Sequence, residues 1–109
     1  MSPQFTREHR LTRREEFERI FSQGRRVTHA GITAWLLPSE SPRIGCAVSR
    51  RYGNPVRRNK LKRRVRAAFR QHMDQLPSND IVITATSKRG WITYPQIEGL
   101  FHQLIDDAV

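Results

Sequence analysis

Apolar residues recur at helical spacing in three segments of the chain. These segments are residues 13–23, 54–74 and 94–107. At the start of the first, Thr12 and Glu15 have the spacing of a capping box, in which a hydroxyl and a carboxylate satisfy free backbone amides. The second opens with Asn54, a favourable N-cap, followed by Pro55, whose fixed φ suits the first helical position. The pattern therefore predicts three helices.

Three further segments are rich in β-branched and apolar residues and predict strands. They are residues 27–37, 43–49 and 80–86, and the first allows a division into two strands. Only a short turn at 39–42 separates the first two segments, so we expect them to run antiparallel. The helix between the second and third has the length of a crossover connection, which allows that pair to be parallel. Residues 1–11 lack periodicity and are interpreted as an extended arm.

The order of elements is α-β-β-(β)-α-β-α, which predicts an α+β fold. A chain of 109 residues has the size of one domain, and 37% hydrophobic residues are enough for one core. We therefore expect a single domain over residues 1–109, an α/β sandwich of about four strands with the helices packed on one face of the sheet.

The positive charge is concentrated in one part of the chain. There are 20 Lys and Arg against 10 Asp and Glu, a formal net charge of +10. Of the basic residues, 11 lie between Ser41 and Met73 with no acidic residue among them, and the rest of the chain has a net charge of −1. Such an excess indicates a polyanionic partner, either nucleic acid or an anionic membrane surface.

Cysteine content and hydropathy exclude several other classes of protein. The single cysteine, Cys46, excludes an internal disulfide and a cysteine-based zinc site. No apolar run approaches the ~18 residues of a membrane span, and no signal peptide precedes the first charged residues. We expect a cytoplasmic protein that does not bind membranes.

The second predicted helix has an apolar stripe and a cationic face. At about 100° per residue, the stripe consists of Leu61, Val65, Ala68, Phe69 and His72. The opposite, cationic face consists of Asn59, Arg63, Arg66 and Arg70, flanked by Lys60, Lys62 and Arg64. Like charges one turn apart destabilise a helix, so a face of one sign is typical of a helix that binds phosphate groups.

Other interpretations of this face stay open but are less favoured. A solvated face normally mixes charge signs, and a membrane-binding helix needs exposed apolar residues that the core requires here. Sequence-specific DNA binding is less favoured, because the segment lacks the second helix of a helix-turn-helix motif. RNA is favoured partly because Phe17, Phe21 and Trp35 could stack on unpaired bases, although core packing explains the same aromatic pattern.

Residues 53–66, GNPVRRNKLKRRVR, resemble the signature G-N-A-V-x-R-N-R-x-K-R-x-x-R of the bacterial ribonuclease P protein subunit family. Flanking segments resemble the same family, namely residues 9–24, 44–51 and 80–85. Two residues depart from the signature. Pro55 replaces a small residue, and Lys60 keeps the charge of the third signature arginine without its bidentate geometry.

The resemblance implies the protein subunit of a ribonucleoprotein endonuclease that removes the 5′ leader of precursor tRNA. In that family the RNA subunit is the catalyst and works with Mg²⁺, so no cofactor or metal bound by this chain alone is implied. The implied partners are ribonuclease P RNA and precursor tRNA, with no protein partner. The implied fold is of the ribosomal protein S5 domain 2-like type, with a left-handed β-α-β crossover that is an exception to the usual rule.

The resemblance also implies the residues of the RNA interface. It places the leader in a cleft between the long helix and the sheet, lined by Phe17, Phe21 and Trp35. It assigns RNA binding to Arg58, Asn59, Lys60, Lys62, Arg63 and Arg66. Adjoining basic residues of the same helix and of the loop before it complete the predicted set, and these are Arg50, Arg51, Arg57 and Arg70.

The residues themselves predict no catalytic group in this chain. No acidic pair has the local spacing for general acid–base catalysis, and no metal-ligand spacing links the histidines, which are His9, His29, His72 and His102. We interpret His72 as a core residue and Cys46 as a small buried hydrophobe. Two alternative functions stay open, a small basic ribosomal protein or RNA chaperone, and a protein-only nuclease.

Overall fold

The computed structural model describes residues 9–85 and 92–108. In chain order its elements are α1 (Arg14–Gln23), β1 (Arg25–His29), β2 (Ile32–Pro38), β3 (Arg43–Val48), a 3-10 turn (Arg50–Tyr52), α2 (Pro55–His72), β4 (Asn79–Ala85) and α3 (Tyr94–Asp107). Every predicted helix and strand is present, and the first strand segment is divided in two. Residues 1–8 of the predicted arm, and Thr86 of the last predicted strand, lie outside the described residues.

The four strands form one mixed sheet in the order β1-β2-β4-β3. β4 pairs antiparallel with β2 and parallel with β3, so the predicted parallel pair is confirmed. β3 runs antiparallel to β2, as predicted, but the two strands are not neighbours, because β4 lies between them. The short link does not form a hairpin, since the Ser39 amide donates to the carbonyl oxygen of Ser78 at 2.9 Å. The link therefore runs past the start of β4 and leads to its far side.

A two-residue turn joins β1 and β2. Ala30 and Gly31 have positive φ angles of 54° and 80°, between the paired residues His29 and Ile32. Positive φ at both central residues is the geometry of tight hairpin turns, whose twist matches that of the strands. The turn fixes the register of the hairpin and leaves β1 at the edge of the sheet.

Helices cover both faces of the sheet. α2 and α3 pack on one face over the main core, to which β4 contributes Ile81 and Ile83. α1 packs against β2 and β4 on the other face, where Leu11, Ile20 and Val82 form a second cluster. The expectation that the helices share one face is therefore wrong. The run of consecutive buried residues in β4 explains the result, because successive side chains point to opposite faces and both faces are covered.

The start of α2 and its apolar stripe agree with the prediction. The Asn54 side chain accepts a hydrogen bond from the Arg57 amide at 2.9 Å, and Pro55 is the first helical residue. The buried residues of the helix are Leu61, Val65, Ala68 and Phe69. His72 is half-buried at the edge of the core, with Nε2 3.4 Å from a carboxylate oxygen of Glu98 on α3.

α1 begins one residue later than the predicted capping box requires. Arg13 rather than Thr12 is the N-cap, and its amide donates to a carboxylate oxygen of Glu16 at 3.4 Å. Arginine has no acceptor atom, so only the carboxylate half of the reciprocal box forms. Glu16 is also bound by Arg43 of β3, with Nη1 and Oε2 2.8 Å apart, which explains why Glu16 rather than Glu15 faces the helix start.

Candidate RNA interface

The solvent-facing side of α2 carries most of the predicted RNA-binding residues. Of the ten predicted residues, Arg50 and Arg51 lie in the 3-10 turn, and the other eight lie on the helix. The exposed members are Arg50, Arg51, Arg57, Asn59, Lys60, Arg63, Arg66 and Arg70, whereas Arg58 and Lys62 are half-buried. Neither the turn nor the helix contains an acidic residue. This surface has charge of one sign and attracts polyanions.

Two arginines of α2 have a different environment from the rest. Arg64 donates from Nη1 to the carbonyl oxygen of Ile92 at 2.8 Å, and the Ile92 amide donates to the Tyr52 hydroxyl at 3.0 Å. These bonds fasten the residues before α3 to α2 and to the 3-10 turn. The Nε atom of Arg58 is buried without a hydrogen-bond partner. The basic segment of the sequence therefore includes at least one residue, Arg64, that serves the fold.

A small cavity lies between α2, β3 and the residues before α1. Its volume is about 110 Å³, and Lys62, Arg66 and Cys46 contribute to its lining. Burial raises the pKa of the Cys46 thiol to about 11, and the positive charges of Arg66 and Lys62 offset only part of this effect. The thiol is therefore protonated at neutral pH. It packs as a small apolar group against the main core but is half-buried, and so is less enclosed than predicted.

The three predicted aromatic residues lie together on the α1 side of the sheet. The ring centroids of Phe17 and Phe21 are 6.4 Å apart, and those of Phe21 and Trp35 are 5.1 Å apart with the rings nearly perpendicular. Phe17 packs against Gly45, where an added Cβ atom would lie 2.7 Å from its ring. Phe21 is 37% exposed, and Trp35 is half-buried. Phe17 is half-buried like Trp35, and Phe21 has the largest exposed fraction of the three rings.

The position of these rings corrects the expected cleft between the long helix and the sheet. The space between α2 and the sheet is filled by the main core, in which Leu61, Val65 and Ile83 are fully buried. A nucleotide cannot enter that space while the core is packed. The aromatic residues lie on the opposite face instead, beside α1. We call this region, bounded by Phe21 and Trp35, the aromatic groove.

The strand register shows how much of this face α1 covers. α1 lies over the row of paired residues that contains Trp35, Val82 and Gly45. The next row contains Thr28, Thr33, Thr84 and Ala47. Thr28 is exposed and the other three are half-buried. This row of mainly threonine side chains lies beside the aromatic rings. Trp35 is joined to it by a hydrogen bond from Nε1 to the Thr84 hydroxyl at 3.0 Å.

Arg26 belongs to the same groove, although sequence reasoning did not find it. β1 places Arg26 directly opposite Trp35, and the guanidinium carbon lies over the indole ring, 5.3 Å from its centroid. Side chains of directly opposite residues in neighbouring strands share one face of the sheet. The sequence contains the arginine and the tryptophan, but only the hairpin register brings them together.

An ion-pair network around one buried carboxylate holds α1 against the sheet. Asp80 of β4 is fully buried and accepts two hydrogen bonds from Arg43 of β3, at 2.7 and 2.8 Å. From α1, Glu16 binds Arg43 at 2.8 Å and Arg19 approaches Asp80 at 3.7 Å. The pKa of the Arg43 guanidinium is raised, chiefly by its hydrogen bonding to Asp80 and against the opposing effect of burial. We call these four residues the clamp, and they fix the helix that carries Phe17 and Phe21.

A cationic helix and an aromatic groove on one small α+β fold define a protein of the RNA-binding class. Among residues 9–85 and 92–108, no three His, Cys, Asp or Glu side chains are grouped so that they could hold a metal ion. The helices in this part of the chain are too short or too polar to cross a membrane.

Comparison with known proteins identifies the family. The family model described as Ribonuclease P matches residues 5–109, so the chain belongs to the ribonuclease P protein family. The ribonuclease P protein component of Halalkalibacterium halodurans is 37% identical over 101 residues, which are 88% of this chain and 85% of that protein. The corresponding protein of Shouchella clausii is 31% identical over 106 residues, 94% of this chain and 87% of that one.

Solved structures of the family have the same fold. The RNase P protein of Staphylococcus aureus matches with a TM-score of 0.77 at 27% identity, over 92% of this chain and 94% of that chain. The RNase P protein of Thermotoga maritima matches with a TM-score of 0.76 at 28% identity, over 90% and 96% of the two chains. The predicted family and α+β fold are confirmed. This chain is a protein subunit of ribonuclease P, the endoribonuclease of tRNA processing, and its partner is the RNA of that enzyme.

Asp80→Asn tests the clamp. The substitution leaves the Arg43 guanidinium opposite a neutral amide, so we expect the free energy of unfolding to fall by about 3 kcal/mol. Denaturation in urea measures the change. The matched control is Glu18→Gln on the same helix, because Glu18 forms an exposed ion pair with Arg14 at 3.0 Å and should contribute little. Equal stability of both variants and the wild type would contradict the clamp.

Proposed function

We propose that this chain binds ribonuclease P RNA with the cationic face of α2 and the 5′ leader of precursor tRNA in the aromatic groove. The observation that carries the proposal is the presence of two chemically different surfaces on different sides of the fold. Lysine and arginine side chains suit the phosphate backbone of a folded RNA, whatever its sequence. Accessible aromatic rings suit bases that are not paired.

The aromatic groove fits a single-stranded leader of variable sequence. Phe21 offers an exposed ring surface on which any base can stack, and Trp35 lies beside it with Arg26 over the indole ring. The threonine hydroxyls of the neighbouring row can bond to ribose or phosphate oxygens without selecting a base. Stacking combined with backbone contacts accepts many leaders, as a general processing enzyme requires.

In this proposal the chain supplies binding, and the RNA subunit supplies the chemistry. The Cys46 thiol is protonated and packed, so it is no nucleophile. The described residues do not form a carboxylate cluster of the kind that holds Mg²⁺, so we assign that ion to the RNA. We place the assembled enzyme in the cytoplasm, where a protein with one thiol needs no oxidising conditions.

Reconstitution with ribonuclease P RNA tests the proposal as a whole. At low Mg²⁺ concentration, the protein should accelerate cleavage of precursor tRNA, because its cations replace metal ions that screen the phosphates. RNA alone and protein alone are the controls. Unchanged cleavage on addition of the protein would refute the proposal and favour a ribosomal protein or RNA chaperone. Cleavage by the protein alone would instead establish a protein-only nuclease.

Phe21→Ala tests the leader site. The reconstituted enzyme should bind precursor tRNA more weakly by about 1–3 kcal/mol, the contribution of one stacked base, and mature tRNA should bind nearly as before. Phe21 is 37% exposed, so its truncation spares the core. The control is Val56→Ala, which removes another exposed apolar side chain, at the start of α2. A similar loss for precursor and mature tRNA would place Phe21 outside the leader site. Trp35→Ala should behave like Phe21→Ala.

Arg63→Ala tests the cationic face. Each lost phosphate contact should reduce the slope of log K against log salt concentration by about one, so this variant should show a flatter salt dependence of binding to ribonuclease P RNA. Titrations at several salt concentrations give the slope. Arg14→Ala is the charge-matched control, because Arg14 is exposed on α1 and paired with Glu18. A wild-type slope for Arg63→Ala would remove that residue from the interface.

A further inference from the structure

Three neighbours hold the indole ring of Trp35. Its Nε1 donates to the Thr84 hydroxyl at 3.0 Å, and Phe21 meets it nearly edge to face with the ring centroids 5.1 Å apart. Arg26 lies over the ring itself, with its guanidinium carbon 5.3 Å from the centroid. The ring is therefore fixed in orientation, and the group over its face is a cation rather than solvent alone.

The pairing of β1 with β2, rather than an ion pair, places Arg26 over the indole ring. It is an exposed residue of the edge strand β1 and pairs directly with Trp35 in the hairpin register. The described residues provide no carboxylate within ion-pair distance of its guanidinium. An arginine that is exposed, lies over an indole and has no carboxylate partner in this part of the chain is available to a ligand, and its planar guanidinium can stack as well as donate hydrogen bonds.

We propose that Arg26 is a leader-binding residue, on whose guanidinium a leader base stacks, so that base, guanidinium and indole form one column. The inference rests on the proposed function and names a contact within the aromatic groove. A guanidinium plane is a known platform for bases that are not paired, and its second face is open when the first rests on an indole. Trp35 then supports Arg26 rather than touching the base directly.

Two other arrangements make opposite predictions for substitutions at position 26. If the base displaced Arg26 and stacked on Trp35 itself, removal of the guanidinium would leave leader binding unchanged or improve it. If Arg26 bound only a leader phosphate, a lysine would replace it, because a phosphate contact needs the charge and not the plane. The stacked column requires both the plane and the support of the indole.

The experiment compares Arg26→Lys and Arg26→Gln with wild type in the enzyme reconstituted with ribonuclease P RNA. Affinity is measured for precursor tRNA, for mature tRNA, and for precursor tRNA carrying a single abasic leader position, tested at each position in turn. We expect both variants to lose about fivefold or more in affinity for the precursor, the lower end of what one stacked base contributes. Mature tRNA should bind unchanged, and at one abasic position the difference between wild type and Arg26→Lys should vanish.

The matched control is Arg25→Lys, because Arg25 is the exposed neighbour on the same strand and its side chain points to the other face. Wild-type affinity of Arg26→Lys for the precursor would overturn the inference, and so would a loss equal to that of Arg25→Lys. If wild type itself bound precursor and mature tRNA equally, the proposed leader site would fail together with this inference. If Phe21→Ala lost leader binding while Arg26→Lys did not, only this inference would fail.

Discussion

The ion pair between Arg43 and Asp80 connects the order of the strands with the position of α1. A buried carboxylate without a partner is strongly unfavourable, so Asp80 requires a cation inside the fold. Arg43 meets this requirement only because β3 lies beside β4 in parallel register, where the two residues are opposite each other. Glu16 and Arg19 bring α1 to the same pair. A single buried charge thus influences which strand neighbours β4 and which face α1 covers, and through α1 it shapes the aromatic groove.

α2 combines two requirements that are separated around its circumference. Its inner side contributes fully buried residues such as Leu61 and Phe69, and this packing stabilises a helix whose outer charges repel one another. The outer side is then available to RNA at no cost to the core. α1 differs, because it covers only part of its face of the sheet. The uncovered part leaves Phe21 and Trp35 accessible, so the two proposed RNA-binding surfaces arise from fuller coverage on one face of the sheet than on the other.

Local pattern predicted the elements well, and long-range contacts explain where it failed. Helical spacing gave the bounds of α3, and the Asn54 cap gave the start of α2. The signature around Arg58 gave the family, and with it the RNA partner. The direction of β3 followed from its short link to β2, but its place on the far side of β4 did not, because the ion pair with the buried carboxylate of residue 80 is a long-range contact. The cleft was misplaced for a related reason, since the face on which α1 packs depends on contacts distant in sequence.

Arginine shows most clearly what a sequence pattern cannot distinguish. The same side chain binds a carboxylate at position 43, a backbone carbonyl at 64 and an indole ring at 26, and position 63 is exposed on the cationic face. Counting basic residues identifies a polyanionic partner but weights these four positions equally. The proposed RNA surface therefore excludes part of the basic segment, because Arg64 serves the fold. The proposed surface also extends beyond that segment, because the groove that includes Arg26 lies on other elements, and only the register of a hairpin places that residue beside Trp35.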